Sequence, residues 1–176
     1  MSVLRRADLA VTPWKNGLGR KADIAEGDGW FVGLAWLDRD AAFSDFPGTD
    51  RTCVLLEGAG FTLEVDGSAP LVYLAPGTAH SFPGDVPTRC VLADGPCVVV
   101  NVMTRRGDLE HRVEVTGTLP LDGWAVVLRG AVRPAAGDEG RSADAGPGDV
   151  ITLPYQGIAS PDLLVVAVRA PFRAQV

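Results

Sequence analysis

Gly60-Phe-Thr-Leu-Glu-Val-Asp-Gly67 and, further along, Gly123-Trp-Ala-Val-Val-Leu-Arg-Gly130 share one outline, a short strand-like run closed at each end by glycine. Each is followed, after a gap, by a Pro-Gly corner leading into a short apolar segment. These are Ala75-Pro-Gly-Thr-Ala-His-Ser-Phe82 and Gly146-Pro-Gly-Asp-Val-Ile-Thr-Leu153. Proline presets one turn position and glycine supplies the positive φ of the next, so each corner reverses the chain. Strand and corner recurring in the same order indicate one supersecondary design used twice.

Around this repeat the chain is a series of short strand candidates. Phe61-Thr-Leu-Glu-Val65 alternates apolar and polar residues, and Leu71-Val-Tyr-Leu74 runs into the first corner. Thr52-Cys-Val-Leu-Leu56 and Cys97-Val-Val-Val-Asn-Val-Met103 are nearly continuous apolar runs, as expected of strands buried on both faces. Trp124-Ala-Val-Val-Leu128, Val150-Ile-Thr-Leu153 and Leu163-Leu-Val-Val-Ala-Val168 supply strands to the second half. No stretch sustains 3.6-residue amphipathic spacing, and the best helical candidate is the short Asp23-Ile-Ala-Glu26. Short strands with turn signals between them, glycine-bounded hairpins and Pro-Gly corners belong to jelly-roll barrels, the cupin architecture. The expected fold is therefore all-β, a bicupin with two jelly-roll-like β-barrels in one chain. Residues 1–107 form the N-terminal barrel and 108–176 the C-terminal one, packing as one unit. Ala135-Ala-Gly-Asp-Glu-Gly-Arg-Ser-Ala-Asp-Ala145 reads as a polar loop between strands.

At 176 residues, with 22% charged and 47% hydrophobic residues, the chain can bury a substantial core. A net charge of −6 argues against nucleic acid and anionic membrane surfaces as partners. Cys53, Cys90 and Cys97 form no CxxC pair and sit in apolar contexts that suit buried reduced thiols. Met1-Ser-Val-Leu-Arg-Arg-Ala-Asp8 has no apolar signal region, and no apolar run approaches a membrane span. The expected location is cytoplasmic, and a homodimer is the expected assembly.

The residues do not favour a metal or a nucleophile. A transition-metal cupin clusters histidines with a carboxylate, whereas the two histidines here, His80 and His111, are far apart in sequence. No metal and no cofactor is expected. His80 reads as a loop histidine bonded to backbone, and His111, in Asp-Leu-Glu-His-Arg, as a polar surface residue. The thiols are too apolar in setting to act, and no Gly-x-Ser-x-Gly elbow is present. Gly17-Leu-Gly19 resembles part of a dinucleotide fingerprint, but Pro13-Trp-Lys-Asn16 occupies the place of the required strand and no βαβ pattern follows. No catalytic residue is assigned.

What remains suits a polar ligand. Arg51 ends the polar loop Phe43-Ser-Asp-Phe-Pro-Gly-Thr-Asp50 and opens a buried strand, where a guanidinium can hold a carboxylate in bidentate fashion. It could equally cap its own loop. Asn101 is an amide inside a valine and methionine strand, so it must find a partner, either a ligand or a cross-strand bond. Trp14, Lys15 and Asn16 form a polar and aromatic group near the start; Trp14 and Trp36 could stack on a planar ligand or belong to the core. Of Arg105 and Arg106, one is expected to reach the pocket and the other solvent.

Six ordered motifs carry a family likeness: Pro13-Trp-Lys-Asn-Gly17, Phe43 to Arg51, Leu55-Leu-Glu-Gly58, Phe82-Pro-Gly-Asp85, Asp94-Gly-Pro96 and Asn101-Val-Met-Thr-Arg-Arg-Gly107. Together they resemble the HutD/Ves family over roughly residues 1–107; the second half matches by its Gly-Pro-Gly-Asp149 corner and strand pattern. The resemblance implies a cytoplasmic bicupin without a catalytic metal. In the HutD branch it implies control of histidine utilisation and a small carboxylate such as urocanate or formylglutamate; the Ves branch is tied to cold and stress response. It places Trp14, Lys15, Asn16, Arg51 and Asn101 in the ligand pocket. The chain departs from the family pattern at Leu18, Lys21 and Asp23, where glycine, threonine and glutamate are usual. It departs again at Phe31 and Gly33, where Trp-Arg-x-Ser is usual.

The leading expectation is a non-catalytic cupin that binds a small organic acid and modulates histidine utilisation or a stress response. The alternative is a metal-independent cupin isomerase or lyase acting on such an acid, with Glu57, Glu64 or His80 as its acid–base candidates. An interaction module is the third reading.

Overall fold

The computed structural model describes residues 2–135 and 144–173, so most of the loop expected over 135–145 lies outside the described residues. The first strands are β1 (Ser2–Leu4), β2 (Val11–Pro13), β3 (Arg20–Gly27), β4 (Trp30–Leu37), β5 (Ala41–Ala42) and β6 (Thr49–Glu57). They are followed by β7 (Phe61–Val65), β8 (Leu71–Tyr73), β9 (Ala79–Pro83), β10 (Thr88–Leu92) and β11 (Cys97–Arg105). The remainder are β12 (Leu109–Thr116), β13 (Trp124–Arg129), β14 (Val132–Pro134), β15 (Val150–Thr152), β16 (Gly157–Ala159) and β17 (Leu164–Arg173). The described residues contain a single 3-10 turn, Arg6–Asp8, and no α-helix, so the all-β expectation holds. No helix is long and apolar enough to cross a membrane.

One compact unit comprises Ala10–His111 with Ala170–Val176. It contains a six-stranded sheet, β2-β3-β4-β11-β6-β9, and a four-stranded sheet, β5-β10-β7-β8. Phe61, Leu63, Tyr73 and Cys90 of the smaller sheet pack with Ala35, Leu37, Cys53, Leu55, Cys97 and Val99 of the larger. β6 and β11 are central and buried on both faces, which is why their sequences lack polar alternation. Asp23 to Glu26 is not helical but part of β3, where a bulge between Asp23 and Ala25 shifts the register. The sheets run from edge to edge rather than closing, which corrects the barrel expectation to an open two-sheet jelly roll. The edge strands β5 and β8 have only two and three residues, too little ladder to join the sheets.

The other compact unit comprises Met1–Leu9 with Arg112–Arg169, so the expected division at 107/108 needs correction. β1 belongs with the second half because it pairs with β15, Val3 opposite Ile151. The Asp149 carboxylate fastens the same segment, accepting from Arg5 Nη1 at 2.6 Å and from the Arg6 amide at 3.1 Å. A three-residue strand carries no periodicity by which sequence could have assigned it.

The repeat is real, but its register differs from the glycine-to-glycine reading. Leu55 donates its amide to Thr78 O at 2.9 Å and accepts from Gly77 at 2.8 Å. Val127 does the same with Asp149 O at 2.9 Å and Gly148 at 2.8 Å. Each Pro-Gly corner therefore docks on its strand in the same way, which makes β13 the counterpart of β6 rather than of β7. A bulge recurs on each, with Leu56 the extra residue on β6 and Leu128 on β13. The sequences agree in this register: Leu55-Leu-Glu-Gly-Ala59 against Val127-Leu-Arg-Gly-Ala131.

Candidate functional site

Arg51 lies on β6 in the row that continues through Cys53 and Leu55 into the core, so its side chain extends along the inner face of the sandwich. It stands opposite Met103 on β11 and Phe82 on β9. The chain before it wraps around the guanidinium. Phe46 N donates to Gly84 O at 2.9 Å, Gly48 N to Asp85 Oδ2 at 3.1 Å, and Gly84 N to Thr49 O at 2.8 Å, fixing this loop. The Phe43, Phe46 and Phe82 rings consequently surround the guanidinium carbon at 5.0, 5.4 and 5.2 Å. Gly84 has no room for a side chain: a Cβ there would press on Thr49 Oγ1 and come within 3.0 Å of Phe46 O and 3.2 Å of Arg51 Cδ.

Arg51 is 5% exposed, and its guanidinium finds no carboxylate within ion-pair distance among the described residues. Its only hydrogen bond there is a long one, Nη1 to Ser44 O at 3.4 Å, and Nε has no partner. Burial depresses its pKa, yet arginine stays protonated in proteins. A cation out of water without a counter-ion is costly even when aromatic faces offset part of the penalty. This is the chemical demand of the site: an anion would satisfy it.

A cavity of about 520 Å³ opens onto this group, lined by Trp14, Lys15, Lys21, Glu26, Trp30, Phe31, Phe43, Ser44, Phe46, Arg51, Asn101 and Met103, among others. Of the five residues expected in the pocket, Arg51, Asn101, Trp14 and Lys15 line it and Asn16 does not. Asn16 is used in building the loop: its Nδ2 donates to Ala42 O at 2.9 Å and its Oδ1 accepts from Leu18 N at 3.0 Å. Trp14 lies against Gly19, donates Nε1 to Arg20 O at 2.8 Å, and meets Phe43 edge-on at 5.5 Å. Asn101 is 6% exposed on β11 opposite Cys53 and Gly33, and its Oδ1 has no partner. The hydroxyl of Ser44, which nothing in the local sequence marks, is likewise buried and unpartnered. Lys21, Phe31 and Gly33 stand on the same inner face through the pairings Lys21–Ala35, Phe31–Met103 and Gly33–Asn101, so the departures from the family pattern fall in or beside the lining.

Several expected site residues lie elsewhere. Neither Arg105 nor Arg106 reaches the cavity: Arg105 pairs with Asp28 and Asp108, and Arg106 with Asp50 and Asp85, all at the surface. Side chains at a strand end with acids beside them gain more from those acids and water than from a crowded interior. Hydrogen bonds from Arg106 and from Gly48 hold the Asp85 carboxyl down at about 2. His80 bonds Val72 O at 3.1 Å and sets its ring edge on Tyr73 at 4.9 Å. His111 is not a surface residue, as the sequence suggested. Its two ring nitrogens sit 2.8 Å from Thr52 Oγ1 and Thr104 Oγ1, and burial lowers its pKa although Asp50 pulls the other way. Glu57 and Glu64 are exposed and outside the cavity. The three thiols are free and buried, with Cys53 and Cys90 pushed up to about 12 by desolvation. No group of three or more histidine, cysteine or acidic side chains placed to hold a metal occurs among the described residues.

The family model described as HutD matches residues 6–134. The chain belongs to the HutD family. It is 34% identical over 102 residues to an uncharacterized 21.2 kDa protein in the hutC 3′ region of Pseudomonas putida, covering 54% of this chain and 53% of that protein. It is 32% identical over 114 residues to Protein Ves of Citrobacter koseri, covering 61% and 59%. The chain thus spans between half and three-fifths of these curated relatives. Among solved structures, HutD from Pseudomonas fluorescens SBW25, obtained in a formate condition, superposes with a TM-score of 0.73 over 99% of both chains at 21% identity. A conserved protein of unknown function from Pseudomonas aeruginosa PAO1 superposes with a TM-score of 0.67 over 96% and 92% at 25% identity. The described residues of this HutD family chain form an all-β, cupin-like fold.

Proposed function

We propose that this chain binds a small organic acid in the cavity above Arg51 and acts, without turnover, as a regulatory binding protein in histidine utilisation. The observation that carries this reading is the guanidinium buried among three phenylalanines with no acid of its own. The cavity volume falls within the usual range for small-molecule sites, and the aromatic walls with few polar groups match their usual chemistry. The link to histidine utilisation rests on family membership and on the Pseudomonas putida relative being named for the hutC 3′ region. Urocanate and formylglutamate are the acids to try first, with formate as the smallest anion. A saturating ligand at a hundred times its Kd raises folding stability by about 2.7 kcal/mol, which a thermal-shift screen reads directly. Arg51→Ala should lose about 2–5 kcal/mol of binding energy, well beyond tenfold in Kd. An Arg51→Ala protein that retains wild-type affinity, measured by calorimetry, places the ligand elsewhere and ends the reading.

A further inference from the structure

Resting on that reading, we infer that the ligand carries two acidic groups and that Lys21 receives the second. The cavity lining contains three cations, Arg51, Lys15 and Lys21, against one carboxylate, Glu26, so it holds more cationic groups than one ligand carboxylate can engage. Lys21 is the better placed of the two lysines. It is partly buried on the inner face of β3, with Nζ 4.7 Å from the centroid of the Phe31 ring that forms the adjoining wall. Its present partner is Asp23 Oδ1 at 2.5 Å, two residues along the same strand. Asp23 is itself solvent-accessible and is not part of the lining, and an exposed pair of this kind contributes little to stability. Lys21 can therefore leave it for a ligand at small cost. Its ammonium already lies over the Phe31 ring in the cavity wall, so a short swing of the side chain turns it toward the ligand. β3 and β6 are three strands apart in the sheet, roughly 14 Å at the usual strand spacing, so the two cations approach the cavity from opposite sides. A ligand that meets both is extended, with an acid at each end and an apolar middle against the aromatic walls.

The test compares acids of equal carbon number, glutarate with pentanoate and adipate with hexanoate, by calorimetry on the full chain. At least one dicarboxylate should bind tenfold or more tightly than its monocarboxylate. Lys21→Met should remove that preference and leave the monocarboxylate within about twofold; Lys21→Arg should keep it. Unchanged melting temperatures for both variants confirm that the fold is intact, and Trp14 and Trp30 emission offers a second readout of binding at the cavity. Equal affinity for the paired acids, or a preference that survives Lys21→Met, overturns the assignment of Lys21 while leaving Arg51 standing if Arg51→Ala still abolishes binding. Failure of every acid to bind the wild-type protein instead removes the Arg51 reading, and this inference with it.

Discussion

At the scale of single residues, the role proposed for Arg51 sets function against stability. Arg51 is buried and pairs with no carboxylate among the described residues, so its charge carries a desolvation cost that no protein acid offsets. Methionine has a similar reach, suits the phenylalanine surround, and carries no charge to desolvate. Arg51→Met should therefore stabilise the unliganded protein by about 1 kcal/mol, after the lost cation–π contacts are set against the relieved desolvation. That corresponds to a rise of roughly 2–4 °C in Tm, read by calorimetric melting, while binding of every acid disappears. A fall in Tm would mean that the aromatic cage more than compensates the buried charge, and the site would lose its character as a stored demand for an anion. The same scale explains two departures from the family pattern as one. The Phe31 ring folds over Gly33, where a Cβ would collide with that ring and come within 2.6 Å of Ala22 O. A side chain at 33 therefore cannot be restored while the Phe31 ring stays where it is.

At the scale of elements, the polar row of the site is held from behind. Arg51 and Asn101 face inward from β6 and β11, while Thr52 and Thr104 carry the hydroxyls that His111 joins. Thr52 Oγ1 also meets Ser81 Oγ at 2.7 Å, which carries the network onto β9. Burial favours the neutral ring, so the folded pKa of His111 lies below the ordinary value near 6.5. A base depressed in the folded state contributes its full stability above its unfolded pKa, and loses it as pH falls through the folded one. Tm should consequently drop on acidification from pH 7 toward pH 5, and His111→Gln should flatten that slope while costing about 1–2 kcal/mol at neutral pH for the altered hydrogen bonds. Parallel wild-type and variant profiles in a pH series of melts would assign the slope to other groups. His111 also marks where sequence reading stops. Its neighbours Glu110 and Arg112 are exposed, and nothing local shows that the residue between them turns inward to two threonines more than five residues away. Local pattern did reveal β7 and β11, because alternation and continuous apolarity are properties of the run itself. β3 escapes local reading because its bulge puts Asp23 and Ala25 out of phase and erases the period of two. Arg51 and Asn101 stood out as polar residues in buried runs. Ser44, Lys21 and Phe31 did not, since their convergence depends on strand pairings between distant parts of the chain.

At the scale of the whole chain, the repeat bears on how many ligands the proposed site allows. With Leu55 matched to Val127 and the bulges aligned, Val99 of β11 corresponds to Val165 of β17, since each faces the matched strand residue. Counting along the strands then sets Arg51 against Gly123 and Asn101 against Ala167. Gly123 has a φ of +84° and lies so close to Val168 O that a Cβ there would collide, so that place admits no side chain at all. Ala167 offers no polar atom, and Ala125, the counterpart of Cys53, is fully buried in an apolar cluster with Val127, Ile151 and Val165. The second unit has the same strand, bulge and Pro-Gly corner but neither of the two polar side chains of the proposed site. Calorimetry with a tight-binding acid should therefore give one ligand per chain, and Arg51→Met should remove all of the heat. A stoichiometry of two, or saturable binding that persists in Arg51→Met, would show a second site built on other residues. A single site persisting when Arg51 is intact and vanishing when it is lost would tie recognition to the one half of the repeat in which a charged residue still faces the cavity.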